Sequence, residues 1–169
     1  MTGPGKTALV VMGVAGSGKS TVAGVLAERL GWPVADADDF HSPENVAKMS
    51  AGTPLTDEDR WPWLASIRDW ISGADGSVVV TCSALRRAYR DVLREAEARV
   101  RFVHLDGSRQ EIAARMAART DHFMPLGLLD SQLETLEPLQ SDEDGIATPI
   151  SGTPEEIAEN AVRAFALAP

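Results

Sequence analysis

Cysteine is almost missing from this chain: Cys82 is the single one. That excludes an intramolecular disulfide and any paired-cysteine metal knuckle, and it fits a reducing, cytoplasmic compartment. At the end of an apolar run, Cys82 reads as a buried and inert thiol. Basic residues are scarce too. Lys and Arg number 16 against 25 Asp and Glu, a formal charge of -9, and such a surface repels phosphate backbones and anionic lipid. Neither nucleic acid nor a membrane is an expected partner. Long hydrophobic runs are also absent: no stretch approaches the roughly 20 apolar residues of a membrane span. Lys6 followed by Ala8 to Met12 imitates the start of a secretion signal, but the run breaks at Gly13 and reads better as a first buried strand.

What is present fits one α/β domain. No repeat or low-complexity linker divides the chain, and 169 residues at 44% hydrophobic composition supply one sizeable core, so a single domain over residues 1–169 is expected. Apolar runs alternate with segments of helical period, the pattern of a parallel sheet covered by helices on both faces. Expected strands are Thr7 to Met12, Pro33 to Asp36, Ser77 to Cys82, Val100 to Leu105 and Ile146 to Ile150. Expected helices are Lys19 to Leu30, ended by Gly31, then Pro43 to Ser50, Asp59 to Ser72, Leu85 to Ala98, Ser108 to Arg119 and Pro154 to Leu167. Thr153 and Glu156 form a capping box for the last. The stretches Asp38 to Asp59 and Asp121 to Asp144 look irregular, as lids and binding loops often are.

The first strand runs into Gly13-Val14-Ala15-Gly16-Ser17-Gly18-Lys19-Ser20, which fits the phosphate-loop pattern GxxxxGK followed by Ser or Thr. Glycines let the backbone turn its N–H groups inward, and the helix N-terminus adds partial positive charge, together a cradle for the β- and γ-phosphates of a nucleotide. Gly13, Gly16, Ser17, Gly18, Lys19, Ser20 and Thr21 are therefore the expected nucleotide contacts, with Lys19 on phosphate oxygens and the Ser20 hydroxyl on Mg²⁺. The motif names the donor and leaves the acceptor open.

The second strand ends in Asp36-Ala37-Asp38-Asp39-Phe40-His41, which places carboxylates at the strand ends beside the phosphate loop. One can accept the proton of an attacking hydroxyl while another serves the metal; Asp38 is the candidate base and Asp36 the candidate metal group, though these residues alone do not separate the two. An acidic turn in which Asp caps the next helix is the alternative.

Several separated motifs then line up. Asp36-x-Asp38-x-Phe40-His41, Pro43-x-Asn45, Lys48-Met49, Gly52-x-Pro54-Leu55-x-Asp57-x-Asp59-Arg60 and Pro62-Trp63-Leu64 are followed by Cys82-Ser83-Ala84-Leu85-Arg86-Arg87 and Tyr89-Arg90-Asp91. Arg115, Arg119, His122-Phe123-Met124, Leu128-Leu129, Ser131-Gln132 and Leu136-Glu137 come last. From Val10 to about Glu137 this resembles the gluconokinase family of D-gluconate 6-kinases, with Arg in place of Lys at 86. The resemblance implies an adenylate-kinase-like P-loop kinase fold, a five-stranded parallel sheet in the order 2-3-1-4-5, a mobile lid over about 119–140, and a homodimer. It also implies transfer of the γ-phosphate of ATP to D-gluconate.

An acidic protein needs local cations to hold an anionic sugar acid. His41, Lys48, Arg60, Ser83, Arg87 and Arg90 are the expected substrate contacts with Asp38, while Arg115 and Arg119, one helical turn apart, can reach the phosphates beside Lys19. His122 is a further contact or a lid anchor; His104 and Trp63 read as core residues. The rivals are a kinase of another small acid or polyol and a nucleotide-binding module without chemistry.

Overall fold

The computed structural model of the chain describes residues 6–53, 55–118 and 126–167. Strands β1 (Thr7–Met12), β2 (Val34–Asp36), β3 (Val78–Thr81), β4 (Arg99–Asp106) and β5 (Gly145–Pro149) form one sheet. The pairs are all parallel and the order is β2-β3-β1-β4-β5, the order the family resemblance implies. Helices are α1 (Lys19–Leu30), α2 (Pro43–Ser50), α3 (Asp57–Gly73), α4 (Arg87–Arg94), α5 (Arg109–Ala118), α6 (Leu126–Thr135) and α7 (Pro154–Phe165).

β1 organises the rest. It pairs Ala8 with Val78 on one side and with Val100 on the other, so its residues are enclosed in the sheet and on both faces. The period of two then divides its side chains between two cores. Leu9 and Val11 join Val79, Val103 and Leu105 beneath α1 and α7; Ala8, Val10 and Met12 join Val78, Val80 and Phe102 beneath α3 and α4. A strand buried on both faces has no polar side, which is why its sequence is a continuous apolar run.

Local signals explain where elements begin and end. α1 and α2 occupy the expected spans, and α1 stops where Gly31 turns left-handed at φ 69°. α3 begins two residues before Asp59 because Thr56 and Asp59 cap it reciprocally, with Asp doing the work of the usual Glu. α4 is shorter than expected at both ends: Ala84 sits at φ 46°, outside helical space, and the first helical N–H, that of Arg87, is accepted by Glu137 at 2.7 Å. α6 falls in a stretch expected to be irregular. Its apolar spacing, Leu126, Leu129, Leu133 and Leu136, was a helical signal masked by the polar residues around it.

Among the described residues, one ion pair is fully buried on both sides. Arg90, fully buried, donates to Glu143 at 2.7 and 3.0 Å and to the carbonyl of Ala84 at 2.8 Å, tying α4 to the turn before β5. Burial pushes the Glu143 carboxyl up, but hydrogen bonds from Arg90, the Gln140 N–H and Arg94 outweigh it and hold the group at about 2. Removing one partner leaves a buried charge unanswered, so Arg90→Ala is expected to cost about 3–5 kcal/mol of stability in denaturant unfolding. Arg87→Ala, on the exposed side of the same helix, is expected to leave the unfolding midpoint nearly unchanged.

Candidate active site

The carboxyl ends of β1, β2 and β3 open into a cleft, as expected for an open α/β sheet. Leaving β1, the chain enters the phosphate loop, where Gly16 (φ 84°) and Gly18 (φ 93°) take left-handed conformations. A Cβ at Gly16 would also stand 2.9 Å from Met116 Cγ of α5. α1 starts with no side-chain cap and no acidic residue in its first turn, so its N-terminal N–H groups keep their positive end for an anion. Ser17 turns inward instead: it is fully buried and its hydroxyl donates to the Val14 carbonyl at 2.7 Å. Lys19 Nζ donates to the carbonyls of Gly13 and Val14 at 3.1 and 3.2 Å, and burial lowers its pKa against the pull of Cys82, Asp38 and Asp36.

Two cavities meet at this loop. The first, about 480 Å³, is lined by Lys19, Ser20, Asp36, Asp38, Ser83 and Gln132, with Met49, Trp63 and Met116 as its apolar wall. The second, about 410 Å³, is lined by Gly18, Thr21 and Arg115. Gly16, Lys19 and Ser20 line both and form the wall between them.

After β2 a short 3-10 helix, Ala37–Phe40, carries the acidic motif. The Asp36 carboxylate caps it, accepting the Asp38 N–H at 2.9 Å. The Asp38 carboxyl is pushed up by burial and by Asp36, against the opposing pull of His41 and Lys19. Trp63 supports the turn from α3, its Nε1 donating to the Ala37 carbonyl at 2.7 Å. His41 stacks on the Trp63 ring at 4.3 Å, and burial lowers its pKa more than Asp38 raises it.

The expected cations are distributed unevenly. Lys48 gives both its bonds to the Asp59 carboxylate, at 3.0 and 2.8 Å. Arg60 contacts Asp57 at 3.3 Å and the Tyr89 hydroxyl at 3.2 Å. Lys48 on α2 and Arg60 on α3 thus both meet carboxylates of the first turn of α3, and neither is among the residues that line the first cavity. Arg115 reaches the second cavity and donates to the Ile150 carbonyl. Two expectations do not hold: Arg87 is bound to Asp142 and Gln140, and Arg90 is sealed against Glu143, so neither enters the cleft. The turn after β3 directs α4 so that both side chains meet residues 137–144. Arg119 and His122 lie outside the described residues. Conversely, Gln132, Met49 and Met116 line the cavity without having been assigned a role; a helical reading of residues 126–135 would have turned Gln132 to the same side as Leu129.

The family model described as shikimate kinase matches residues 15–164. Gluconokinase of Gluconobacter oxydans is 49% identical over 160 residues, spanning 93% of this chain and 90% of its own. An unliganded sugar kinase from Janibacter sp. HTCC2649 superposes with a TM-score of 0.90 at 51% identity, covering 97% of this chain and 96% of the other. A gluconokinase from Sinorhizobium meliloti gives 0.87 at 49% identity, with 96% and 92% covered.

Cys82 lines the first cavity but is 2% exposed, and burial pushes its thiol up to about 12. The folded protein is therefore expected to resist iodoacetamide at neutral pH and to alkylate fully once unfolded, read by mass spectrometry. Rapid alkylation of the native chain would mean that the cavity floor opens.

Proposed function

The chain belongs to the gluconokinase family, and from that premise we propose that it converts ATP and D-gluconate to ADP and 6-phospho-D-gluconate. The observation that carries the reading is the shared wall: two cavities whose common lining, among the described residues, is Gly16, Lys19 and Ser20, one suited to the donor and the other to the acceptor. A phosphoryl group can pass there without leaving the protein.

In this reading Gly13, Gly16, Ser17, Gly18, Lys19, Ser20 and Thr21 of the phosphate loop hold the nucleotide, and Lys19, Arg115 and Arg119 spread their charge over the phosphoryl oxygens. The second cavity, with its uncapped helix start, has the chemistry a triphosphate requires. Ser20 and Asp36 would hold Mg²⁺; a hydroxyl and one carboxylate suffice because this ion takes most of its other ligands from water and phosphate. When bound, the ion neutralises charge on the phosphates. Asp38 accepts the proton of the sugar hydroxyl as its oxygen bonds to phosphorus and the bond to the ADP oxygen breaks. His41, Ser83 and His122 orient the acceptor. Lys48 and Arg60 act through the α3 turn, on which their carboxylate partners hold them. We further propose one kinase domain over residues 1–169, with 119–140 as its lid, working as a homodimer.

Coupled ADP release against D-gluconate, other aldonates, shikimate and glycerate tests the reading. Turnover confined to D-gluconate and lost in Lys19→Ala supports it; turnover on another acid transfers the mechanism to that acceptor. Asp38→Asn gives a second test. A carboxyl whose folded pKa is raised favours folding only while protonated, and that contribution is lost as pH rises through the raised value, so at neutral pH the ionised group weakens the fold. Asp38→Asn is expected to lower kcat by about 10²-fold or more and to raise Tm at neutral pH, the gain shrinking as pH falls. A variant that loses stability and keeps kcat would make Asp38 a mere turn residue.

A further inference from the structure

The Val14–Ala15 peptide is held on both edges. Its carbonyl accepts from Ser17 Oγ at 2.7 Å, from the Ser17 N–H at 3.2 Å and from Lys19 Nζ at 3.2 Å. Those partners belong to the phosphate loop itself. Its N–H donates to Gln132 Oε1 at 2.7 Å, a residue 117 positions further along the chain, on α6. Gln132 is therefore the one described side chain outside the loop that fixes this peptide plane, and the same plane seats the Lys19 ammonium.

α6, inside the proposed lid, is docked on its neighbours here. Leu129 is fully buried in the core, Asp130 pairs with Arg109 of α5, and Glu137 just beyond the helix accepts the Arg87 N–H and donates its own N–H to the Leu85 carbonyl. Leu85 and Arg87 follow Ser83, which lines the acceptor cavity. Gln132 thus joins a helix anchored on the acceptor side to the loop that carries the donor.

We propose that Gln132 is a positioning residue: by holding the Ala15 N–H it fixes the orientation of the Val14 carbonyl and, through it, the place of Lys19 against the transferred phosphoryl group. The role rests on the kinase reading above. One neutral hydrogen bond adds about 1 kcal/mol to stability, whereas a reacting group displaced by about 1 Å loses roughly 10²-fold in rate, so the effect belongs in kcat and not in folding.

Gln132→Met keeps the shape and removes the acceptor. It is expected to lower kcat on D-gluconate by about tenfold or more, to leave KM for gluconate and Tm close to wild type, and to speed amide exchange of the phosphate-loop peptide in the full chain. Gln132→Asn, one methylene too short to reach, is expected to give the same split. Unchanged kcat overturns the proposal. So does tighter Mg-ATP binding by calorimetry, which would mean that Gln132 competes with a phosphate oxygen for the Ala15 N–H. If wild type does not phosphorylate gluconate the kinase reading falls on its own, and loop exchange with Mg-ATP binding still decides Gln132: unaltered exchange refutes the anchor.

Discussion

The pairing of β1 on both edges is the constraint on which the rest depends. With β3 on one side and β4 on the other, the strand can end in only one place, and the phosphate loop begins where it ends. The acidic turn after β2 and the Ser83 segment after β3 emerge at the same end of the sheet because every pair is parallel. A parallel sheet fixes polarity as well as position, so residues from three separate parts of the chain converge on one cleft without a contact having to be specified between them.

Charge is arranged with the same economy. In a chain this acidic, most cations are committed to carboxylates before any ligand arrives: Lys48 to Asp59, Arg60 to Asp57, Arg87 to Asp142 and Arg90 to Glu143. Lys19 differs, bonding only to loop carbonyls among its described contacts. Neutral acceptors hold an ammonium more weakly than a carboxylate does, and leave its charge available for phosphate.

How legible was this in the sequence? The phosphate loop, the five strands and the capping box at Thr153 followed from local patterns, because a buried parallel strand and a glycine-rich turn impose their composition directly. The strand order did not: periodicity says that a strand is buried and nothing about its neighbour, and the order entered through the family resemblance. Arg87 and Arg90 show a similar limit: a basic residue after a strand end looks alike in sequence whether it faces the cleft or an acidic turn fifty residues away, and here both pair with that turn, at Asp142 and Glu143. The bond from Gln132 to Ala15 was invisible for a related reason, since a contact between residues so distant in the chain leaves no spacing to detect.

Gly16, Lys19 and Ser20 line both cavities, so the wall between them belongs to the two at once. Compartments that share a wall are chemically contiguous. A molecule joining adenosine to a sugar acid through a bridge of phosphates would lie across the wall and fill both rooms at once; its second half would bind at an effective concentration set by the bridge, so the affinities of the halves would multiply. The length of that bridge is then a ruler for the gap that the phosphoryl group crosses.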